Sequence, residues 1–413
     1  MERILLLMTT KTYRAGAFLD AAEKLGIPVT VGSEEAHVLS SANPSGHIAV
    51  DFHDLEQATS DIVEFAKQHP FDAIVSTDDD GVVLAAMASD ALQLPHNPLG
   101  AVATARNKYE TRRTLSKAGM LTPTFWRFEI DDEPLRAAIS VTYPCVVKPL
   151  ALSASRGVMR ANNPDEFVIA FERLRTILQE TSYDPISDSI KQILVETFIS
   201  GDEVAVEGLL VQSNFIPLAI FDKPDPLKGP FFEETIYVTP SRFPQAVQED
   251  ILNTTRKALV ALGLMNGPVH VELRINTDGA WIVEVAPRSI GGYCSRILRF
   301  GKDTSLEALI LQQALGHPLP STAMATPASG VMMIPVPSRG ILCGVEGLIE
   351  AQNVEFIDEI RLSIPAGQMV VPLPEGSQYL GFIFARAESP DRVESALREA
   401  HECLHFIIDR CDD

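Results

Sequence analysis

The sequence predicts an α/β fold at its N-terminal end followed by further domains that include an antiparallel hairpin, and three observations carry this. Strand-like and helix-like runs alternate over residues 1–95, the pattern of a parallel sheet covered on both faces. Further on, Val269–Gly292 holds two runs of alternating apolar and polar residues joined by Asn276-Thr277-Asp278-Gly279, a β-hairpin signal. The 413 residues exceed what one core supports, so two to four domains are expected.

Taken in order, Ile4–Met8 is a continuous apolar strand, and Ala15–Leu25 has helical periodicity that stops at Gly26. Strands follow at Val29–Val31, Ile48–Phe52 and Ala73–Ser76, with a helix from Asp54 as cap through Gln68 and another over Gly81–Leu92. The first turn, Thr9-Thr10-Lys11-Thr12, lacks the glycine fingerprint of a dinucleotide-binding domain. Asp78-Asp79-Asp80 stands at a strand end, where open α/β sheets place their ligands. It suits a substrate ammonium group or, equally, a helix N-terminus.

Pro95–Lys117 carries a proline-bounded loop and a helix containing Arg106-Asn107-Lys108. Lys148 ends the buried strand of Tyr143–Pro149, an uncommon place for a lysine without a partner. The small-residue loop Ala151–Val158 lets backbone N–H groups approach an anion, but it is no P-loop. Pro164–Glu180 is an amphipathic helix with Phe167, Phe171, Leu174 and Leu178 on one face, and Ser182–Ser189 is a polar loop. Ile193–Ile199 is a strand whose free edge could read an adenine ring, running into Ser200-Gly201-Asp202-Glu203. Strands Val204–Leu210 and Phe215–Phe221, helices Gln245–Leu262 and Ser305–Leu315, and a separate αβ unit over the last eighty or so residues complete the chain.

Composition bounds the function. A net charge of −21 argues against a nucleic-acid partner, and no run approaches membrane-spanning length. Ile4–Met8 is too short for a signal-peptide core, and Lys11 and Arg14 follow it rather than precede it. Five scattered cysteines fit reduced thiols, and hence a cytoplasmic protein.

In the hairpin, a three-residue turn with Gly279 in the left-handed position pairs Asn276 with Ala280. Val271 then faces Val285, Leu273 faces Val283, Ile275 faces Trp281, and Glu272 stands opposite Glu284. Facing carboxylates repel unless compensated. A hard divalent cation would compensate them, as Mg²⁺ is held by one or two carboxylates plus substrate phosphates. The alternative is a solvated face with Arg274 and Arg288 as counter-charges.

Lys108, then Lys148 with its small-residue loop, then the Glu196 strand with Gly201-Asp202-Glu203, then the Glu272–Glu284 hairpin with Arg288, together resemble the ATP-grasp superfamily over nearly the whole chain. Within it the order is most similar to carboxylate–amine ligases of the L-amino-acid ligase type and, more distantly, to biotin carboxylase. The resemblance implies an ATP-grasp fold divided as an N-terminal α/β domain (1–100), a linker helix and lid lobe (101–200), a catalytic lobe (201–325) and a C-terminal α+β unit (326–413). It implies ATP with Mg²⁺ or Mn²⁺, Lys108 and Lys148 on the α- and β-phosphates, and Ser153, Ser155, Arg156 and Gly157 closing over the triphosphate. Glu196, Phe198 and Ile199 would line the adenine slot, Glu203 would meet the ribose, and Glu272 and Glu284 would bind the metal. Arg288, with Lys148, would serve the phosphoryl transfer. Ala286 departs from the family, where an asparagine metal ligand is common.

Candidate substrate contacts are Asp79, Lys223, Glu233, Glu234, His270, Gly291 and Gly292. The implied reaction activates a small-molecule carboxylate as an acyl phosphate and joins it to an amine, forming an amide or dipeptide. The alternatives are ATP-dependent carboxylation and a nucleotide-binding regulator without turnover, and a homodimer is the assembly considered.

Overall fold

The computed structural model describes residues 2–10, 12–35, 45–150, 152–181 and 191–410. The expected loop Ser182–Ser189, together with Lys11, Ala151 and Cys411, lies outside the described residues. The N-terminal sheet is four-stranded and wholly parallel, in the order His47–Ala49, Val29–Ser33, Ile4–Leu7, Ala73–Ser76. Ile4–Leu7 is central and completely buried, which is why its sequence shows no polar alternation. Helix Ala15–Leu25 stops where Gly26 turns left-handed at φ 67°. Asp54 accepts from the Gln57 N–H at 3.0 Å and starts helix Leu55–Ala66. The strand expected over Ile48–Phe52 pairs only as far as Ala49, while Val50 and Phe52 pack into the core beneath.

The single helix expected around Arg106–Lys108 is two, Leu99–Arg106 and Lys108–Lys117. Asn107 breaks it by leaving helical geometry and accepting from the N–H groups of Tyr109 and Glu110. The lobe expected to be the lid follows, an antiparallel sheet in the order Phe125–Glu129, Gln192–Thr197, Cys145–Pro149, Met159–Ala161, covered by helices Pro134–Ser140 and Pro164–Glu180. Gln192–Thr197 is therefore an inner strand paired on both sides, and the free edge expected of it does not exist.

An eight-stranded antiparallel sheet forms the centre of the molecule. Its order is Gly279–Ala286, Gly267–Asn276, Asp202–Val211, Asn214–Lys223, Ile236–Thr239, Ala328–Ile334, Gly381–Ala387, Ile357–Leu362. Three strands of the C-terminal stretch, Ala328–Ile334, Gly381–Ala387 and Ile357–Leu362, extend this sheet through Ile236–Thr239, which hydrogen-bonds directly to Ala328–Ile334, while Gly340–Glu346, Met369–Val370 and His405–Arg410 form a three-stranded sheet of their own. Such pairing joins residues about a hundred apart and leaves no mark in local periodicity. Helix Gln245–Leu262 packs on the hairpin's apolar face, and helix Leu306–Ala314 lies between the sheet and the N-terminal domain.

One buried ion pair fastens that domain. Arg14, 2 % exposed, reaches Glu307 at 3.2 Å, the Ser289 hydroxyl at 2.7 Å and the Thr77 carbonyl at 3.3 Å. Breaking a buried pair strands a charge, so Arg14→Met should cost about 3–5 kcal/mol in urea unfolding. Replacing Glu307 by methionine as well should recover part of that loss.

Candidate functional site

The hairpin strands Gly267–Asn276 and Gly279–Ala286 set Glu272 opposite Glu284 and Val271 opposite Val285, as the sequence predicts. Between them and the turn, the expected register is wrong by one residue. The turn is the tighter one, pairing Asn276 with Gly279, and the extra residue sits at Val283 as a bulge. Asn276 Oδ1 fixes the turn by accepting from Asp278 N–H at 2.9 Å and Trp281 Nε1 at 3.0 Å. The slip exchanges faces, so Ala280 and Ile282 enter the core in place of Trp281 and Val283.

The bulge has a use. Its consecutive carbonyls, Ile282 O and Val283 O, each accept from Arg112 at 2.7 Å. Arg112 also grips Glu196 at 2.5 Å, and Lys148 Nζ lies 2.6 Å from the other Glu196 oxygen. All three side chains are buried. Burial alone would raise the Glu196 carboxyl, but Arg112 and Lys148 outweigh it and hold it at about 2. Burial is the main influence lowering Lys148, with Arg112 and nearby Lys108 adding to it against Glu196.

A carboxyl with a depressed pKa stabilises the fold above its ordinary value and loses that contribution as pH falls towards the depressed one. Wild type should therefore lose stability on acidification between about pH 4.5 and pH 2. Glu196→Gln should be clearly less stable at pH 7, and its deficit should shrink across that window when urea midpoints are followed against pH.

Each hairpin acid meets its own cation. Glu284 lies 3.1 Å from Lys108 Nζ, at a small cleft also lined by Asp79, Arg106, Leu152, Ser153 and Ala286. Glu272 lies 3.3 Å from Lys223 Nζ and 3.5 Å from His270 Nε2. Lys223 binds Glu203 at 2.8 Å and pairs with Glu234, so one ammonium serves three carboxylates within 4.8 Å of one another. Burial opposes charge throughout this cluster. Lys223 nonetheless rises well above its usual value on the attraction of Glu203, Glu234 and Glu272. Lys223 and His270 hold Glu272 well below its ordinary value, whereas burial and the neighbouring acids push Glu234 to about 7. Behind them, His270 Nδ1 lies 3.0 Å from fully buried Glu207, which also accepts from Ile290 N–H. Burial would lower the imidazole, but bonds to Glu207 and Glu272 raise it to about 9.

Asp79 is not free for a substrate ammonium group. Arg288 holds it at 2.8 Å and Arg106 at 3.2 Å, and they outweigh burial to keep its carboxyl well below the usual range. Glu203, expected on a ribose, is buried between Lys223 and Arg274. Arg274 also takes the Ile199 carbonyl at 2.7 Å, and the Phe198 ring lies against the guanidinium groups of both Arg160 and Arg274. In the lid loop, Ala154, Ser155 and Gly157 are left-handed, and Lys108 Nζ donates to Leu152 O at 2.9 Å. Arg156 points away from the cleft, to the Glu375 carbonyl. Glu233 is half-buried, and burial raises its carboxyl. Gly291 and left-handed Gly292 form the turn after Arg288, Gly292 packing by Phe382.

Sequence reasoning passed over Arg112, Arg106 and Glu207. Glu207 did carry a signal, as the lone acid in the apolar run Val204–Leu210.

Comparison with known proteins fits this geometry. Residues 141–297 match the ATP-grasp domain, 19–96 the ATP-grasp N-terminal domain and 332–409 the L-amino acid ligase C-terminal domain 2. The chain belongs to the ATP-grasp superfamily. The solved L-amino acid ligase from Bacillus licheniformis is similar to this ATP-grasp chain with a TM-score of 0.83 and 28% identity, covering 99% of each chain. A carboxyaminoimidazole ribonucleotide synthase from Aspergillus clavatus, solved with ATP, has a TM-score of 0.71 at 18% identity over 97% of this chain and 98% of that one, a likeness of fold. Among curated proteins, alanine–anticapsin ligase from Bacillus amyloliquefaciens is 26% identical over 57% of this chain, and carnosine synthase 1 from Gallus gallus is 28% identical over 64%. The chain spans 52% of the former's length and 30% of the latter's. Among the described residues no helix is long and apolar enough to cross a membrane.

The donor set suits the metal that ATP-grasp chemistry implies. Glu272 and Glu284 are oxygen ligands held in facing register, and a metal between them would take over the counter-charge that Lys223 and Lys108 now supply. Ala286 lines the cleft beside Glu284 and adds no ligand.

Proposed function

We propose that this ATP-grasp chain is an ATP-dependent carboxylate–amine ligase, forming an amide or dipeptide bond with release of ADP and phosphate. The observation that carries this reading is the single cleft in which Glu284, Lys108, Ser153 and Asp79, with its Arg288 partner, converge beneath the lid lobe. Lys108 and Lys148 are the cations suited to the nucleotide phosphates, and Glu272 and Glu284 would hold Mg²⁺ or Mn²⁺. The metal, when bound, neutralises charge on the transferred phosphoryl group.

The substrate carboxylate attacks the γ-phosphorus, the bond to ADP breaks, and an acyl phosphate forms. The amine then attacks the acyl carbon, loses a proton and expels phosphate. Both steps rely on positioning and electrostatic stabilisation, so they require fixed cations and no nucleophilic serine or cysteine. Arg288, aligned by Asp79, is the group suited to the oxygens of the acyl phosphate. Two amino acids are the substrate pair that the similarity to an L-amino acid ligase supports.

The test is incubation with ATP, Mg²⁺ and pooled amino acids and organic acids, reading ADP and product mass. The expected outcome is ADP release only when acid and amine are both present, with a product equal to their sum less one water. Release that requires bicarbonate would point to carboxylation. Intact ATP binding with no release for any pair would point to a regulator.

A further inference from the structure

The lid loop is held from an unexpected side. Its first residues, Leu152 and Ser153, line the cleft, and Leu152 O accepts from Lys108. Its last residues are tied to the C-terminal segment, more than two hundred residues on in sequence. Gly157 N–H donates to Pro374 O at 2.9 Å, and Arg156 Nε donates to Glu375 O at 2.9 Å. Beside them Arg173, on helix Pro164–Glu180, grips both Glu375 carboxylate oxygens, at 2.5 and 2.9 Å. The turn that presents these acceptors is tightly made: Gly376 N–H bonds Pro372 O at 2.9 Å, and a Cβ at Gly376 would lie 1.8 Å from Val371 O. A left-handed Gly157, φ 74°, directs its N–H out to this turn rather than into the cleft.

We propose that the turn Val371–Gly376 is a latch that holds the lid loop shut, and that Glu375, acting through Arg173, is a positioning residue which keeps water from the activated acyl group. This rests on the ligase reading for its chemistry but not for its geometry. An acyl phosphate exposed to water is lost: water adds to the acyl carbon, the C–O bond to phosphate breaks, and the free carboxylic acid and phosphate leave. A loosened latch therefore separates ADP release from amide formation.

Two variants test it, Glu375→Gln, which weakens the partly exposed ion pair, and Gly376→Ala, which reshapes the turn. In wild type, ADP and amide should appear in nearly equal amounts. The ratio of ADP to amide should rise about two- to five-fold in Glu375→Gln, the range a partly exposed pair supports, and further in Gly376→Ala. The exchange of Arg173 and Glu375 (Arg173→Glu with Glu375→Arg) should bring the ratio back towards one. Hydrogen exchange of peptides covering residues 152–161 should quicken in both single variants, with circular dichroism and melting temperature near wild type in Glu375→Gln and a lowered melting temperature in Gly376→Ala, whose Cβ must displace the Val371 carbonyl. Unchanged exchange in both would overturn the latch itself. Faster exchange with an unchanged ratio would overturn the positioning role. Faster exchange in a protein that makes no amide in any form would refute the ligase reading and leave the latch standing.

Discussion

Glu284→Ala should abolish ADP release, lowering turnover at least about 10³-fold, while the protein stays folded. The size follows from removing a carboxylate that would hold the metal charge against the transferred phosphoryl group, an effect of several kcal/mol in comparable sites. The tolerance of the fold follows from position. Glu284 is about a third exposed and its counter-ion, Lys108, keeps a bond to Leu152 O, so stability should change by no more than about 1 kcal/mol. Turnover is read by a coupled ADP assay and folding by urea midpoint. Full activity in this variant would remove the metal role from the hairpin.

Arg288→Ala is expected to lower kcat by about 10³-fold while leaving ATP binding nearly intact, because its cation is needed where charge develops rather than where the nucleotide rests. Asp79 would still be held by Arg106, so the cleft wall should persist. Arg288→Lys should recover little, since Arg288 uses Nε and Nη2 on Asp79 and Nη1 on the Ser289 carbonyl, a fork that an ammonium group cannot reproduce. Initial rates against ATP concentration separate kcat from KM. A raised KM with unchanged kcat would place Arg288 in ground-state binding instead.

Much of this was legible in the residues because the periods were clean. The unbroken apolar run at Ile4–Leu7 announced a central parallel strand, and the alternation in Val269–Val285 was strict enough to set Glu272 against Glu284. The bulge was misplaced because Gly279 invites an irregular turn, whereas what holds the bulge at Val283 is Arg112, 170 residues away from Ile282 in sequence. Lys148 stood out as a cation in a buried strand, but Arg112, which shares Glu196 with it, looked like any charge on a helix. Long-range pairing explains the remaining gaps. Neither the entry of Ala328–Ile334, Gly381–Ala387 and Ile357–Leu362 into the central sheet nor the capture of Asp79 by Arg288 leaves a local pattern to read.

The most direct test is a crystal of the protein with a non-hydrolysable ATP analogue and Mn²⁺, located by its anomalous signal. The account expects the ion between Glu272 and Glu284, with the analogue's phosphates displacing Lys108 and Lys148 from their present carboxylate partners. An ion seated instead among Glu203, Glu234 and Glu272, with Glu284 still on Lys108 and the phosphates elsewhere, would contradict it.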